Sequence, residues 1–218
     1  MNGTRKWWAL AALALSMLAV GLDLTVLNVA LPTLATDLHA STGDLQWFAN
    51  AYNLALAAAL LPAGLLGDRF GRKRMLLGAL VLFGVASAAC AYASSVGLLI
   101  GARAVLGLAA AFLIPLCMAQ LSVLFTDEER PRAMAIWVTA NFVGMPLGPI
   151  VGGWLLEHAW WGSVFLLNVP VVVVALVVVV VLLPESRADR RPGLDPLGVV
   201  LGSAGLAALS YGVIRAGE

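Results

Sequence analysis

Seven apolar stretches, each about as long as a bilayer crossing requires, follow one another with short polar segments between them. They run over Trp8–Leu31, Leu45–Leu66, Met75–Ala93, Val96–Leu124, Ala133–Leu156, Ser163–Leu183 and Leu197–Ile214. A soluble domain is about half apolar and a quarter charged. Here 61% of the residues are hydrophobic and 11% charged. Lipid gives backbone N–H and C=O groups no partner, so each open span is expected to be a helix. That holds even for the β-branched run Val171–Val181, where the bilayer overrides the weak strand preference of valine. The fold class that follows is an all-α polytopic membrane protein.

Arg5 and Lys6 precede the first run as they would in a secretory leader. That run is longer than a leader's apolar core and closes on no small-residue cleavage pattern, so it reads as a retained first span. Lys and Arg then set the orientation. They fall before span one (Arg5, Lys6), between spans two and three (Arg69, Arg72, Lys73, Arg74), between four and five (Arg130, Arg132) and between six and seven (Arg187, Arg190, Arg191). The alternate loops, Ala35–Asp44, Ser94–Ser95 and Glu157–Gly162, contain none. The N-terminus is therefore expected in the cytoplasm of a multi-pass plasma-membrane protein. Ser41 with Asp44, and Thr126 with Glu129, have the spacing of capping boxes ahead of spans two and five. Asp195–Pro196 suits the start of span seven.

Several enzyme and binding classes find no support. No Ser-His-Asp, metal-ligand or phosphate-loop spacing occurs, so neither an enzyme nor a cofactor is expected. No basic patch on a folded polar surface suggests nucleic acid. Cys90 and Cys117 sit inside apolar runs and read as packing residues. His39 and His158 each stand alone near the outer face and read as solvated loop residues.

Two charges lie deep within spans. Asp23 is about fifteen residues from the cytoplasmic start of span one, or roughly 22 Å at 1.5 Å per residue. Arg103 is about seven residues from the outer start of span four, or roughly 10 Å. In a core about 30 Å thick they reach similar heights in the outer half. Opposite charges at one depth are expected to pair, since a lone buried charge is costly. Thr25, Asn28 and Pro32 add polarity after Asp23 and a break near the outer end of span one.

Between spans two and three, Gly64-Leu-Leu-Gly67-Asp68-Arg69-Phe-Gly71-Arg72-Lys73-Arg74 reads as a short glycine-broken loop that embeds one acid in a basic cluster. Span five carries Gly144-Met-Pro146-Leu-Gly148-Pro149-Ile-Val-Gly152-Gly153. Its glycines at every fourth position form a face on which a neighbouring backbone can lie close, and its two prolines are expected to kink the helix.

The loop Gly64–Arg74 closely resembles the signature between spans two and three of the major facilitator superfamily of secondary transporters. Leu22-Asp23-Leu-Thr25-Val-Leu-Asn28-Val-Ala-Leu-Pro32 resembles the span-one motif of its drug:proton antiporter branch with fourteen spans. Gln46-Trp47 with Tyr52 and Leu54 resembles the span-two entry of that branch, and the Gly144–Gly153 string its antiporter motif. Asp127–Ala133 matches the family's loop after span four, and Phe165–Pro170 resembles its span-six entry. Two departures occur: Leu106 stands where the span-four motif has glutamine, and Trp160-Trp161-Gly162 lacks a basic residue that relatives often carry there.

The resemblance implies a six-helix major facilitator bundle over residues 1–184, a cytoplasmic linker over 185–196 and a seventh span over 197–218. It also implies a C-terminal half, absent here, that completes the pathway across the lipid bilayer. The expected function is proton-coupled export of small amphipathic or cationic compounds by alternating access. Protons and a small-molecule substrate would be the other partners. Asp23, Asn28 and Arg103 would serve proton coupling and the substrate path. Gly64, Gly67, Asp68, Arg69, Gly71, Arg72 and Lys73 would gate the cytoplasmic side, and Gly144, Pro146, Gly148, Pro149, Gly152 and Gly153 would form the packed hinge. The alternatives are uptake of a metabolite on the same fold, or a membrane fragment that transports nothing.

Overall fold

A computed structural model of the chain describes residues 3–186, 201–206, 208–209 and 211–212. Among these residues there is no strand. The helices are α1 (Gly3–Asp37), α2 (Thr42–Phe70), α3 (Arg72–Ala91), α4 (Val96–Leu124), α5 (Arg130–His158), α6 (Ser163–Leu166) and α7 (Asn168–Leu182). Residues 163–182 together make one crossing, so the described residues hold six helical segments long and apolar enough to span a membrane.

The sixth crossing, expected to be one helix, runs over 163–182; at Leu167 the backbone stays helical, and the one irregularity is a missing ladder bond, because Pro170 has no N–H for the Leu166 carbonyl to accept. Residues 201–206, 208–209 and 211–212 are helical. Gly202 comes close to Leu61, and the Tyr211 ring lies 6.3 Å from that of Trp47, so this segment runs along α2. The expected linker beyond Ser186 and the Asp195–Pro196 start of span seven lie outside the described residues.

Helix contacts follow a two-fold plan. α1 packs most heavily on α5, and α4 on α2. α1 also packs on α7, α4 on α3, and α3 on α7. The first helix of each set of three thus lies on the second and third helices of the other set, while the two third helices touch. A three-plus-three repeat of this kind leaves no visible trace in the residues. Both interlocks are backbone-tight. A Cβ on Gly107 of α4 would strike the Tyr52 carbonyl of α2, and one on Gly21 of α1 would strike the Asn141 carbonyl of α5.

The helix ends correct several expectations. The Gly64–Arg74 segment is not a loop. α2 continues to Phe70 and α3 begins at Arg72, leaving Gly71 alone between them. Gly71 has φ +109°, a conformation that side chains with a Cβ rarely adopt. Nor does α1 break at Pro32, since it runs on to Asp37. Ser41 and Asp44 do form a capping box. Thr126 and Glu129 do not, because α5 starts one residue after Glu129, with no side-chain cap. His158 is not alone: its Nδ1 lies 2.8 Å from the Trp154 carbonyl, and its ring stacks on the Trp154 indole.

Candidate functional site: a buried ion pair between the first helices

Asp23 of α1 and Arg103 of α4 meet in the interior. Arg103 Nη1 donates to Asp23 Oδ2 at 2.6 Å, and the two side chains are 2% and 0% exposed respectively. They are the only buried charged residues among the described ones. Neither charge is left with a single contact. Arg103 Nε donates to the Phe48 carbonyl at 2.9 Å, and the guanidinium lies 4.6 Å over the Tyr52 ring. Asp23 Oδ1 accepts from Asn168 Nδ2 at 3.3 Å. Asn168 Nδ2 also donates to Ser87 Oγ at 3.2 Å, and Ser87 Oγ donates to the Phe165 carbonyl at 2.8 Å. A buried pair with further hydrogen bonds on each partner is far cheaper than a bare one.

The depth argument from sequence brings Asp23 and Arg103 together, and the structure does the same. It does not bring Asn28 to them. Asn28 is exposed, five positions after Asp23 and on another side of α1, with no hydrogen-bond partner among the described residues. Asn168, Ser87 and Tyr52 complete the buried cluster. Asn168 and Tyr52 occur in quoted strings, but nothing in the order of residues shows that they face Asp23. The available signal was composition alone, an amide and a hydroxyl inside otherwise apolar spans.

The span-five glycines do face α1. A Cβ on Gly144 would lie 2.6 Å from the Leu18 carbonyl oxygen. One on Gly148 would strike Thr25 Oγ1, and one on Gly152 would meet Val26 at 2.7 Å. Gly153 has nothing within 4 Å and is not part of this face. Pro146 and Pro149 point away and are exposed, and α5 runs through both. Pro149 has no N–H for the Met145 carbonyl one turn back. Thr25 Oγ1 of α1 donates to that carbonyl at 2.8 Å, so a proline-orphaned acceptor becomes an interhelical bond.

At the basic end, Gly64, Gly67, Asp68 and Arg69 sit on the last turns of α2, while Arg72 and Lys73 open α3. Asp68 pairs with Arg72 at 2.7 Å. Gly67 packs against Leu116 of α4 so closely that a Cβ would overlap it. The segment after α7 closes over this turn: Glu185 accepts from the Lys73 N–H at 3.2 Å and lies 3.6 Å from Arg74, and the Arg72 N–H donates to the Ser186 carbonyl at 2.9 Å. Lys6 pairs with Glu129, and Trp7 packs edge-on against Phe125 at 5.2 Å. The Lys6 ammonium holds the Glu129 carboxyl below its ordinary range.

Six apolar crossings around one buried ion pair, with their charged turns gathered at the ends, define an α-helical multi-pass membrane protein. Residues 13–214 match the Major Facilitator Superfamily, and the chain belongs to that family. It is 48% identical over 200 residues to the multidrug efflux pump LfrA of Mycolicibacterium smegmatis, covering 91% of this chain and 40% of that protein. Against the tetracenomycin C resistance and export protein of Streptomyces glaucescens it is 40% identical, covering 97% of this chain and 40% of that one. Against the methyl viologen resistance protein SmvA of Salmonella typhimurium it is 41% identical, covering 88% and 39%. The chain thus spans about two fifths of the length of these relatives. Among solved structures, the proton:xylose symporter XylE superposes with a TM-score of 0.75 at 18% identity, over 99% of this chain and 53% of that one, a likeness of fold.

Proposed function

We propose that the complete polypeptide exports small amphipathic or cationic compounds in exchange for protons, by alternating access, across the plasma membrane. The observation that carries this reading is the Asp23–Arg103 pair, sealed in the bundle. An ionisable group inside a membrane bundle marks a coupling or substrate site unless shown otherwise. Asp23 takes the proton and Arg103 competes with that proton for the carboxylate. The naming of the relatives as efflux, export and resistance proteins supports drug-like cargo.

The other residues fall into supporting roles. α2 and α5 are the least buried spans, at 22% and 17% of their apolar windows, and offer the face for the second half of the fold. Asn28 is exposed, and we assign it to the substrate path between the halves. The Gly64–Lys73 turn gates the cytoplasmic end, where the positive-inside rule also places the N-terminus. The Gly144–Gly152 face of α5, with Pro146 and Pro149, lets α1 and α5 move as one packed unit.

Reconstitution of the complete protein in proteoliposomes tests this. With a pH gradient imposed, Asp23→Asn abolishes uphill movement of a lipophilic cation such as tetraphenylphosphonium while binding persists. Arg103→Ala also fails, and the double mutant is no worse than the worse single mutant, since both act on one unit. Uphill transport by Asp23→Asn would sink the reading.

A further inference from the structure

We infer that Asn168 and Ser87 are positioning residues that carry the protonation state of Asp23 to the α6–α7 junction. The inference rests on the proposed role of Asp23 and adds a second limb to it.

The geometry starts from Asp23 itself. Oδ2 is bound at 2.6 Å by Arg103, whereas Oδ1 has only the longer 3.3 Å contact from Asn168. Oδ1 is therefore the oxygen with capacity for a proton. An ionised carboxylate only accepts hydrogen bonds. Asn168 meets it with its NH₂, and the same nitrogen donates to Ser87 Oγ at 3.2 Å. That leaves the Ser87 hydroxyl proton free to donate to the Phe165 carbonyl at 2.8 Å.

Protonation reverses the logic. A proton arriving on Oδ1 turns that atom into a donor, and the facing NH₂ becomes the wrong partner. Rotating the Asn168 amide by half a turn presents its Oδ1 to both neighbours. It then accepts from the Asp23 O–H and from the Ser87 O–H. A hydroxyl has one proton to donate, so Ser87 must release Phe165.

The released carbonyl lies where the sixth crossing is already weak. Its ladder lacks one bond there, because Pro170 leaves the Leu166 carbonyl without its helical donor. Asn168 is buried, 1% exposed, and Ser87 is fully buried, so water does not readily replace the lost bond.

The electrostatic surroundings contain few competitors. Arg103 of α4, Tyr52 of α2 and Cys90 of α3 are the ionisable groups that share the Asp23 field. α6 and α7 contain no ionisable side chain. Those of α5 (Arg130, Arg132, Glu157 and His158) lie at its two ends. Asp23 is the only one on α1 between Lys6 and Asp37.

The test is hydrogen–deuterium exchange of residues 163–169 in the complete protein, corrected for intrinsic exchange rates, across a pH series. The wild type should lose protection by about five- to tenfold as pH falls, the scale of one net hydrogen bond. Asn168→Leu keeps Ser87 on Phe165 and should stay flat at the high level. Ser87→Ala should stay flat at the low level, and Ser87→Thr should restore the step. A side chain with a merely structural role would not give flat profiles at opposite levels. Asp23→Asn, whose amide can donate as the protonated acid does, should be flat and low. A wild type with no step overturns the relay. So does a step that vanishes in Asp23→Asn but survives in Ser87→Ala or Asn168→Leu. A step that survives in Asp23→Asn instead overturns Asp23 as the titrating group, and the proposed function with it.

Discussion

Gly148 and Gly153 of the α5 string should respond oppositely to one methyl group. On Gly148, an added Cβ would overlap Thr25 Oγ1 and lie 3.0 Å from the Leu22 carbonyl oxygen and 3.1 Å from the Val26 nitrogen. The hydroxyl could rotate aside, at the loss of its 2.8 Å bond to the Met145 carbonyl. The α1 backbone has no such freedom and must retreat. Overpacking of this kind costs about 1–3 kcal/mol, and an interhelical hydrogen bond in a membrane protein contributes about 0.6 kcal/mol more. Against this stands the helix preference for alanine over glycine, about 1 kcal/mol. Gly148→Ala should therefore be destabilised by about 0.5–2.5 kcal/mol. Gly153→Ala meets nothing within 4 Å and has only the helix preference, so it should be neutral or slightly stabilised. Both variants of the complete protein can be followed by thermal unfolding in detergent. Equal effects at the two positions, or a Gly148→Ala as stable as the wild type, would refute the backbone-to-backbone account of the α1–α5 interface.

Three further outcomes follow. Thr25→Val should cost about 0.6 kcal/mol or somewhat more. Pro149→Ala returns an N–H to the Met145 carbonyl, so the cost of Thr25→Val should shrink in that background, and strict additivity in the double-mutant cycle would exclude the orphan-carbonyl explanation. Asp68→Asn removes a partly exposed pair with Arg72 across the Gly71 turn, so stability should change by no more than about 1 kcal/mol. Turnover in proteoliposomes should nonetheless fall, because a contact made in one end state sets the populations, and unchanged turnover would reduce the turn to a topology signal. Glu129 is held ionised by Lys6, with its folded pKa lowered from 4.5. The tie to the first helix is thus present at neutral pH and lost as pH falls below about 4.5 through the lowered folded value. Spin labels at Thr4 and Asp127 should show a distance distribution that broadens only at that acid end. In Glu129→Gln it should be broad at every pH, and a narrow one at neutral pH would count against the tie.

Much of this protein was legible in its residue order because the bilayer is so restrictive a solvent. Long apolar runs can only be helices there, and the alternation of basic and non-basic loops counts crossings in a way that needs no contacts. Depth is readable too, since rise per residue is fixed, and this is why Asp23 and Arg103 could be matched across eighty positions. Glycines four apart announce a close helix contact. What the order of residues could not give is azimuth and partner. Whether a polar side chain on a helix faces lipid, a neighbour or a cavity depends on how the helix is rotated in the bundle, and apolar spans with little amphipathic pattern do not record that angle. Asn28 and Asp23 share one helix and one motif, yet only Asp23 is buried in the cluster. Asn168 lies 145 residues beyond Asp23 and reaches it because α7 packs on α1, and Ser87, 64 residues beyond Asp23, reaches Asn168 because α3 packs on α7. Gly153 belongs to the same string as Gly148 and touches nothing. The Gly64–Arg74 segment reads as a loop from its glycines and charges. It folds as two helix ends, because Gly67 is needed for contact with Leu116 and only Gly71 is needed for the turn. The sequence thus determined which segments cross the membrane and at what depth their charges lie. The tertiary structure decided which faces meet, since close packing between helices is set by shapes that come together only after each helix has formed.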